Sequence, residues 1–312
     1  MAINLVHSGL RCNTKRTYNT AQRFYLSFCA NHLLTPLPAT ELQLLRFVSY
    51  AHTKGLSVAT IHVYLSGISS LHTINGLPAP PLDAYRLKLA LRALHQASSS
   101  PARRAPITYE LLSYMYHQLQ SSTTGYLWQA MLTLGFFGAL RGSEYAAVCL
   151  DGAIQAPLVR HIRFIHRGTT MGLVFTIVRS KTTHKPIHRY IGCSGTPICA
   201  VCCLITYFKI QRSMGLLHEN SYLFTFKDAR PVTKCQLNAQ IKSLAASLGL
   251  PAASYTSHSL RAGAATTASS LGFTQPEIKR LGHWASDAYN NYIHMDYTQQ
   301  LGFASRLTQK PS

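Results

Sequence analysis

Residues 257–294 read SHSLRAGAATTASSLGFTQPEIKRLGHWASDAYNNYIH, and both ends of that stretch carry more polar chemistry than a packed core needs. Ser257 can cap a helix that places His258 and Arg261 at i and i+3, on one face. Two cationic or potentially cationic groups side by side repel unless an anion lies between them. A phosphate suits that place, because arginine offers a forked donor and histidine can also move a proton. At the far end, Leu281-Gly282-His283-Trp284 closes a second helix in its own turn, and Tyr292 follows nine residues after His283. Taken singly, Trp284, Tyr289 and Tyr292 are ordinary aromatic packing residues and His283 a satisfied hydrogen-bonder.

Upstream, the apolar run Tyr126 to Leu140 contains Gln129 and Thr133 and is fifteen residues long. That is short of the roughly 18–20 needed to span a bilayer, so it reads as a buried helix. It runs into GFFGALRGSE, where Arg141 has Glu144 at i+3 as its natural partner; taken alone, the pair reads as a structural ion pair. The periodicity then changes. Val159 to His166, Leu173 to Arg179 and Ile187 to Ile191 are short and β-branched, which predicts three antiparallel strands. Helical patterns resume in CCLITYFKIQRSMG and TKCQLNAQIKSLAASLG.

On the N-terminal side, residues 13–97 hold four helical segments. The second stops at Gly55, and the third starts from Ser57 as N-cap and ends at Gly76. SSSPARRAP, residues 98–106, reads as a linker, and ITYELLSYMYHQL reopens the helical pattern after it. The expected fold is therefore mainly α with a small antiparallel β-sheet (α+β). It divides into a helical domain over 1–97, the linker, and a second domain over 107–312.

The 312 residues hold 30 Lys+Arg against 10 Asp+Glu, a formal charge of +20, while 47% of the residues are hydrophobic. Global disorder is excluded by that apolar content. Eleven basic residues stand against Glu41 and Asp83 in the first 105 positions, and the rest of the chain is basic too. Charge on both sides suits a polyanion gripped from two directions, with dispersed solvated lysines and arginines as the bland alternative. MAINLVHSGLRC is too mixed to be an export signal, so the eight cysteines read as reduced thiols of a cytosolic or nuclear chain. Cys193, Cys199, Cys202 and Cys203 cluster in sequence, but no second C-x-x-C follows at finger spacing. Buried free thiols are the expectation, with no metal and no cofactor.

Arg141, His258, Arg261, His283 and Tyr292 together make two permanent cations, two imidazoles and a phenol without a carboxylate cluster. That set suits attack on phosphorus: guanidinium donors stabilise the negative charge that grows on a non-bridging oxygen, and the phenol supplies a nucleophile. Metal-assisted hydrolysis lacks its usual ligands.

ALRGSE, HSLRAG, LGHW and Y-x-x-Y-I-H, in this order and spacing, resemble the tyrosine recombinase (phage integrase) family. The resemblance covers essentially the whole chain. It implies a helical core-binding domain followed by an integrase-like catalytic domain. It also implies that Arg141 and Arg261 bind the scissile phosphate, that His258 and His283 handle protons or hydrogen-bond, and that Tyr292 forms a 3′-phosphotyrosyl intermediate. Tyr289 is the rival nucleophile. A hairpin lysine protonates the leaving 5′-oxygen in this family, and the resemblance implies Lys181 for that role here, with Lys185 as competitor. Glu144 would position the Arg141 end of the pocket. The wording looks more like eukaryotic mobile-element recombinases of the DIRS or Crypton type than like bacterial chromosome-dimer resolvases, which implies a nuclear location; otherwise the cytoplasm is expected.

Lys15, Arg16, Arg23, Lys54, Arg103 and Arg104 are candidate contacts to the DNA backbone. The implied partners are double-stranded DNA and three further copies of the chain, a homotetramer on two sites, with no membrane and no small-molecule substrate. A catalytically silent DNA-binding protein and a type IB topoisomerase are the alternatives.

Overall fold

The computed structural model describes residues 9, 12–97, 104–150, 153–168, 170–178 and 185–284. The chain divides into two compact units, Met1–Pro101 and Ala102–Ser312.

Among the described residues, the first unit holds four helices: α1 (Cys12–Asn31), α2 (Glu41–Thr53), α3 (Val58–Ile74) and α4 (Tyr85–Ala97). Thr40 and Ser57 cap α2 and α3 by accepting the N–H groups of Gln43 and Thr60, and Gly55, at φ +79°, ends α2. Helix α3 stops at Ile74 with Asn75 as its C-cap, two residues before Gly76. The apolar faces meet in a core that includes Tyr25, Phe28, Leu44, Phe47, Ile61, Ile68 and Leu87. Gly67 lets α1 and α3 cross closely, because a Cβ there would lie 2.7 Å from Ala21 Cβ. Buried polar groups are satisfied locally. His72 Nδ1 meets Ile68 O at 2.8 Å, and its Nε2 accepts the Ala39 N–H at 2.9 Å, which fixes the neutral ring as the Nδ1–H tautomer.

The second unit begins with α5 (Tyr109–His117), α6 (Thr123–Phe137) and the one-turn α7 (Gly142–Tyr145). Helix α6 is buried along nearly its whole length, as its apolar run predicts. Strands β1 (Val148–Leu150) and β2 (Ala153–Gln155) form an antiparallel hairpin that sequence patterning does not reveal. Strands β3 (Ile162–Arg167), β4 (Thr170–Ile177) and β5 (Ile187–Gly192) form an antiparallel sheet in that order. Residues 159–161, predicted to begin a strand, are instead a 3₁₀ turn. The Val159 and Arg160 N–H groups are taken by Ser221 O and Glu219 O, so no ladder starts until Ile162. Helices α8 (Ala200–Ser213), α9 (Lys234–Ser247), α10 (Ser257–Ser270) and α11 (Gln275–Gly282) follow among the described residues.

Two further expectations differ from the structure. Thr256, not Ser257, is the N-cap of α10: its Oγ1 accepts the His258 N–H, while the Ser257 N–H is already given to Asn238 Oδ1 at 2.8 Å. The described end of the 98–106 stretch is packed rather than free, since the Ala105 N–H donates to Ser254 O at 3.0 Å. Among the described residues, no helix is long and apolar enough to cross a membrane.

Candidate active site

Each of the three described motifs contains a glycine at a point of close approach, and these contacts assemble the site. A Cβ on Gly142 would lie 2.3 Å from Ser257 Oγ, so α7 can rest against the first turn of α10 and bring Arg141 toward His258 and Arg261. At Gly263 a Cβ would meet Ile107 O at 1.6 Å. The chain there runs hard against α10, and the Ile107 N–H donates to Ser259 O at 2.9 Å. Gly282 lies under the Trp284 ring, with 2.1 Å to the nearest ring atom from an added Cβ. Small residues in these motifs are therefore demanded by packing.

Arg261 holds the centre. Its side chain is 1% exposed, one guanidinium N–H group donates to Ala139 O, and Nη2 donates to Gly282 O at 2.9 Å. The Trp284 ring covers it, 4.3 Å from guanidinium carbon to ring centroid. Both clamped segments are backbone-strained: Ala139 has φ +45°, and His283, directly after Gly282, has φ +47°. Non-glycine residues in that region are held there by their surroundings, at about 1 kcal/mol or more each.

Arg141 lies at the surface of the same cluster. Its Nη1 donates to Glu144 Oε1 at 2.9 Å and its backbone N–H to Oε2 at 2.8 Å. Glu144 is 5% exposed, so the carboxylate lies beneath the arginine and fixes both its backbone and its head.

Sequence reasoning missed Arg189. This β5 residue is 4% exposed and donates through Nη2 to Gly282 O at 2.9 Å and through Nη1 to Leu281 O at 3.3 Å. Gly282 O thus accepts from two buried guanidiniums. Burial, outweighing nearby Glu144, holds the Arg189 pKa down to about 10, with Arg141 adding repulsion. A signal was available: alternation along β5 puts Arg189 on the inward face with Ile187 and Ile191, where a solvated arginine does not belong.

The charges act together on the histidines. Burial, then repulsion from Arg104, Arg261, Lys234 and Arg141, lowers the His258 pKa to about 4. His283 is also lowered, by burial and then by Arg189 and Arg261, with Glu144 opposing. Both imidazoles are therefore neutral near pH 7, able to accept a proton, and lie in a field that favours an incoming anion. Arg104, expected among the outlying DNA contacts, bears on the site through His258, and Lys234 joins it as a second unforeseen cation.

Arg141, Glu144, His258, Arg261 and His283 are thus gathered in one place. Lys181, Tyr289, Tyr292 and Arg103 lie outside the described residues. Lys185 is exposed just before β5. Lys15, Arg16 and Arg23 lie on α1 and Lys54 at the end of α2, in the other unit; Arg16, Arg23 and Lys54 are exposed, and Lys54 Nζ lies 5.5 Å from the Tyr50 ring centroid.

No model of a known protein family matches the chain. The recombinase Cre of Escherichia phage P1 is 23% identical over 305 residues, a match covering 89% of this chain and 81% of Cre. The chain is thus similar to a recombinase over most of its length. Solved structures of such enzymes share its fold. The Tn1549 transposon integrase in complex with transposon right-end DNA aligns over 98% of this chain and 99% of its own, with a TM-score of 0.64 at 15% identity. A lambda integrase dimer bound to a COC′ core site aligns over 94% and 93%, with a TM-score of 0.61 at 15% identity. XerH on a palindromic difH substrate, in a post-cleavage complex, aligns over 87% and 71%, with a TM-score of 0.60 at 16% identity. The described motifs ALRGSE, HSLRAG and LGHW thus sit on the fold those enzymes use.

Proposed function

We propose that this chain is a tyrosine recombinase, a site-specific DNA recombinase that joins or excises a mobile element, acting as a homotetramer on two duplex sites. In a eukaryotic host it would act in the nucleus. The observation that carries the reading is the convergence of Arg141, Arg261, His258 and His283, with Arg189 and Lys234 beside them, in one basic pocket around Glu144.

In the reaction, the Tyr292 phenolic oxygen forms a bond to the scissile phosphorus as the bond to the 5′-oxygen breaks. The phenolic proton goes to a neutral imidazole, for which His258 is suited, and Lys181 protonates the departing 5′-oxygen. Arg141 and Arg261 stabilise the charge on the non-bridging oxygens. Arg261 exchanges a backbone carbonyl for the phosphate as DNA arrives, while Arg189 keeps the Gly282 turn in place. Attack of a partner strand's 5′-hydroxyl on the phosphotyrosine then rejoins the DNA without external energy.

The test uses oligonucleotides selected from a random pool by the purified chain, then nicked beside the scissile position so that the cleaved end diffuses away. A covalent, detergent-resistant adduct is expected from the native chain and not from Tyr292→Phe. Binding without an adduct would favour the silent DNA-binding protein. Supercoil relaxation by a monomer, with no joining of two sites, would favour the topoisomerase.

A further inference from the structure

Away from the recombination pocket, the turn between β5 and α8 gathers three thiols. Cys193 follows the last residue of β5, Cys199 is the N-cap residue of α8, and Cys202 lies in the first turn of that helix. The intervening Ser-Gly-Thr-Pro-Ile folds back on itself. Gly195 takes φ +69°, Ser194 Oγ meets Thr196 Oγ1 at 2.9 Å, and Thr196 Oγ1 donates to Ile198 O at 3.2 Å. Cys193 Sγ then stands 3.6 Å from Cys199 Sγ and 3.7 Å from Cys202 Sγ, and all three sulfurs lie within 4.8 Å of one another.

We propose that Cys193, Cys199 and Cys202 form a zinc site that clips the end of β5 to the start of α8. Tetrahedral coordination at about 2.3 Å per Zn–S bond sets the ligand sulfurs about 3.8 Å apart. Two of the three edges are already within about 0.2 Å of that spacing, whereas a disulfide would draw a pair to about 2.0 Å. The surroundings suit thiolates. The Ser194 N–H donates to Cys199 Sγ at 3.4 Å, and the fourteen-residue helix directs its positive end at Cys199 and Cys202. Three soft ligands select zinc over magnesium or calcium, and an iron–sulfur cluster would need a fourth cysteine. Cys203, next in sequence, is not a ligand, because its Sγ turns into the core toward Tyr116 OH at 3.8 Å. Cys193 and Cys202 are only partly buried, which leaves the fourth position to solvent. No second C-x-x-C stands at finger spacing in the sequence; in this proposal the turn supplies Cys193 as the third ligand.

The full-length chain, untagged and purified under reducing conditions without chelator, is expected to carry about one zinc per chain by elemental analysis. Cobalt(II) added to the metal-free protein should give a thiolate-to-cobalt charge-transfer band with tetrahedral visible bands. Cys199→Ser, and the more exposed Cys202→Ser in case the first fails to fold, should lose both signals. Cys235→Ser, an exposed cysteine elsewhere, should keep them. The site is refuted if the reduced native chain holds no zinc and gives no cobalt–thiolate band, or if either signal survives in folded Cys199→Ser/Cys202→Ser. A disulfide among these cysteines in place of bound metal in the reduced chain would equally refute it.

Discussion

Both units bury polar side chains, but they do so in opposite ways. In the N-terminal helices the buried groups serve the fold: His72 joins the end of α3 to Ala39, and Gln43 Nε2 donates to Tyr25 OH at 2.7 Å and Thr35 O at 3.0 Å. Those bonds satisfy groups the packing has already hidden. In the C-terminal unit two whole guanidiniums are buried, Arg189 Nε has no hydrogen-bond partner among the described residues, and two of the carbonyls they hold, Ala139 O and Gly282 O, belong to or adjoin residues with positive φ. A chain selected only for stability would not keep such an arrangement, since buried charge is usually replaced by apolar packing at little loss. The contrast teaches that strain and buried cations, rather than buried polarity as such, mark where this fold works.

Arg261→Ala is the strongest way to break that contrast. It strands Ala139 O, leaves Gly282 O to Arg189 alone and empties the space under Trp284, so a loss of about 3 kcal/mol or more in chemical denaturation is expected. Adduct formation should fall below detection even in protein that remains folded. His72→Leu, its counterpart in the other unit, leaves the Ala39 N–H unpaired and should cost about 1–3 kcal/mol. The rate of adduct formation on bound DNA should stay at the native level. Equal loss of cleavage in both variants would erase the distinction between the units.

A matched pair of glycines sharpens it. Gly142→Ala and Gly67→Ala each push a Cβ into a neighbour, at 2.3 Å and 2.7 Å, and each should destabilise by about 1–3 kcal/mol. Only Gly142→Ala, which moves Arg141 away from α10, should slow cleavage by more than its stability loss explains. The smallest effect is a pH dependence. His258 titrates at about 4 when folded against 6.5 in the open chain, so the unfolded state binds more protons between those values. Its contribution therefore makes stability fall as pH drops from 6.5 toward 4, and His258→Gln should flatten that part of the denaturation profile.

Much of this was legible from the residues in order. The apolar run before Arg141, the capped and glycine-stopped helices, and the i, i+3 pairing of His258 and Arg261 all follow from local periodicity. Residues 159–161 misled because β-branched composition says nothing of distant carbonyls on 219–221 that claim their N–H groups. Lys234 and Arg104 escaped notice because their bearing on His258 depends on how separate segments pack. Arg189 was readable, as an inward-facing charge in an alternating strand, and shows that a rule broken inside a regular element deserves the same weight as a motif.

The most direct measurement is the identity of the residue joined to DNA. The trapped adduct is digested with protease and nuclease, and the peptide bearing the residual nucleotide is sequenced by mass spectrometry. The nucleotide is expected on Tyr292. Its attachment to Tyr289 or to any other residue, or the absence of a linked peptide from chain that binds the nicked site, would contradict the account.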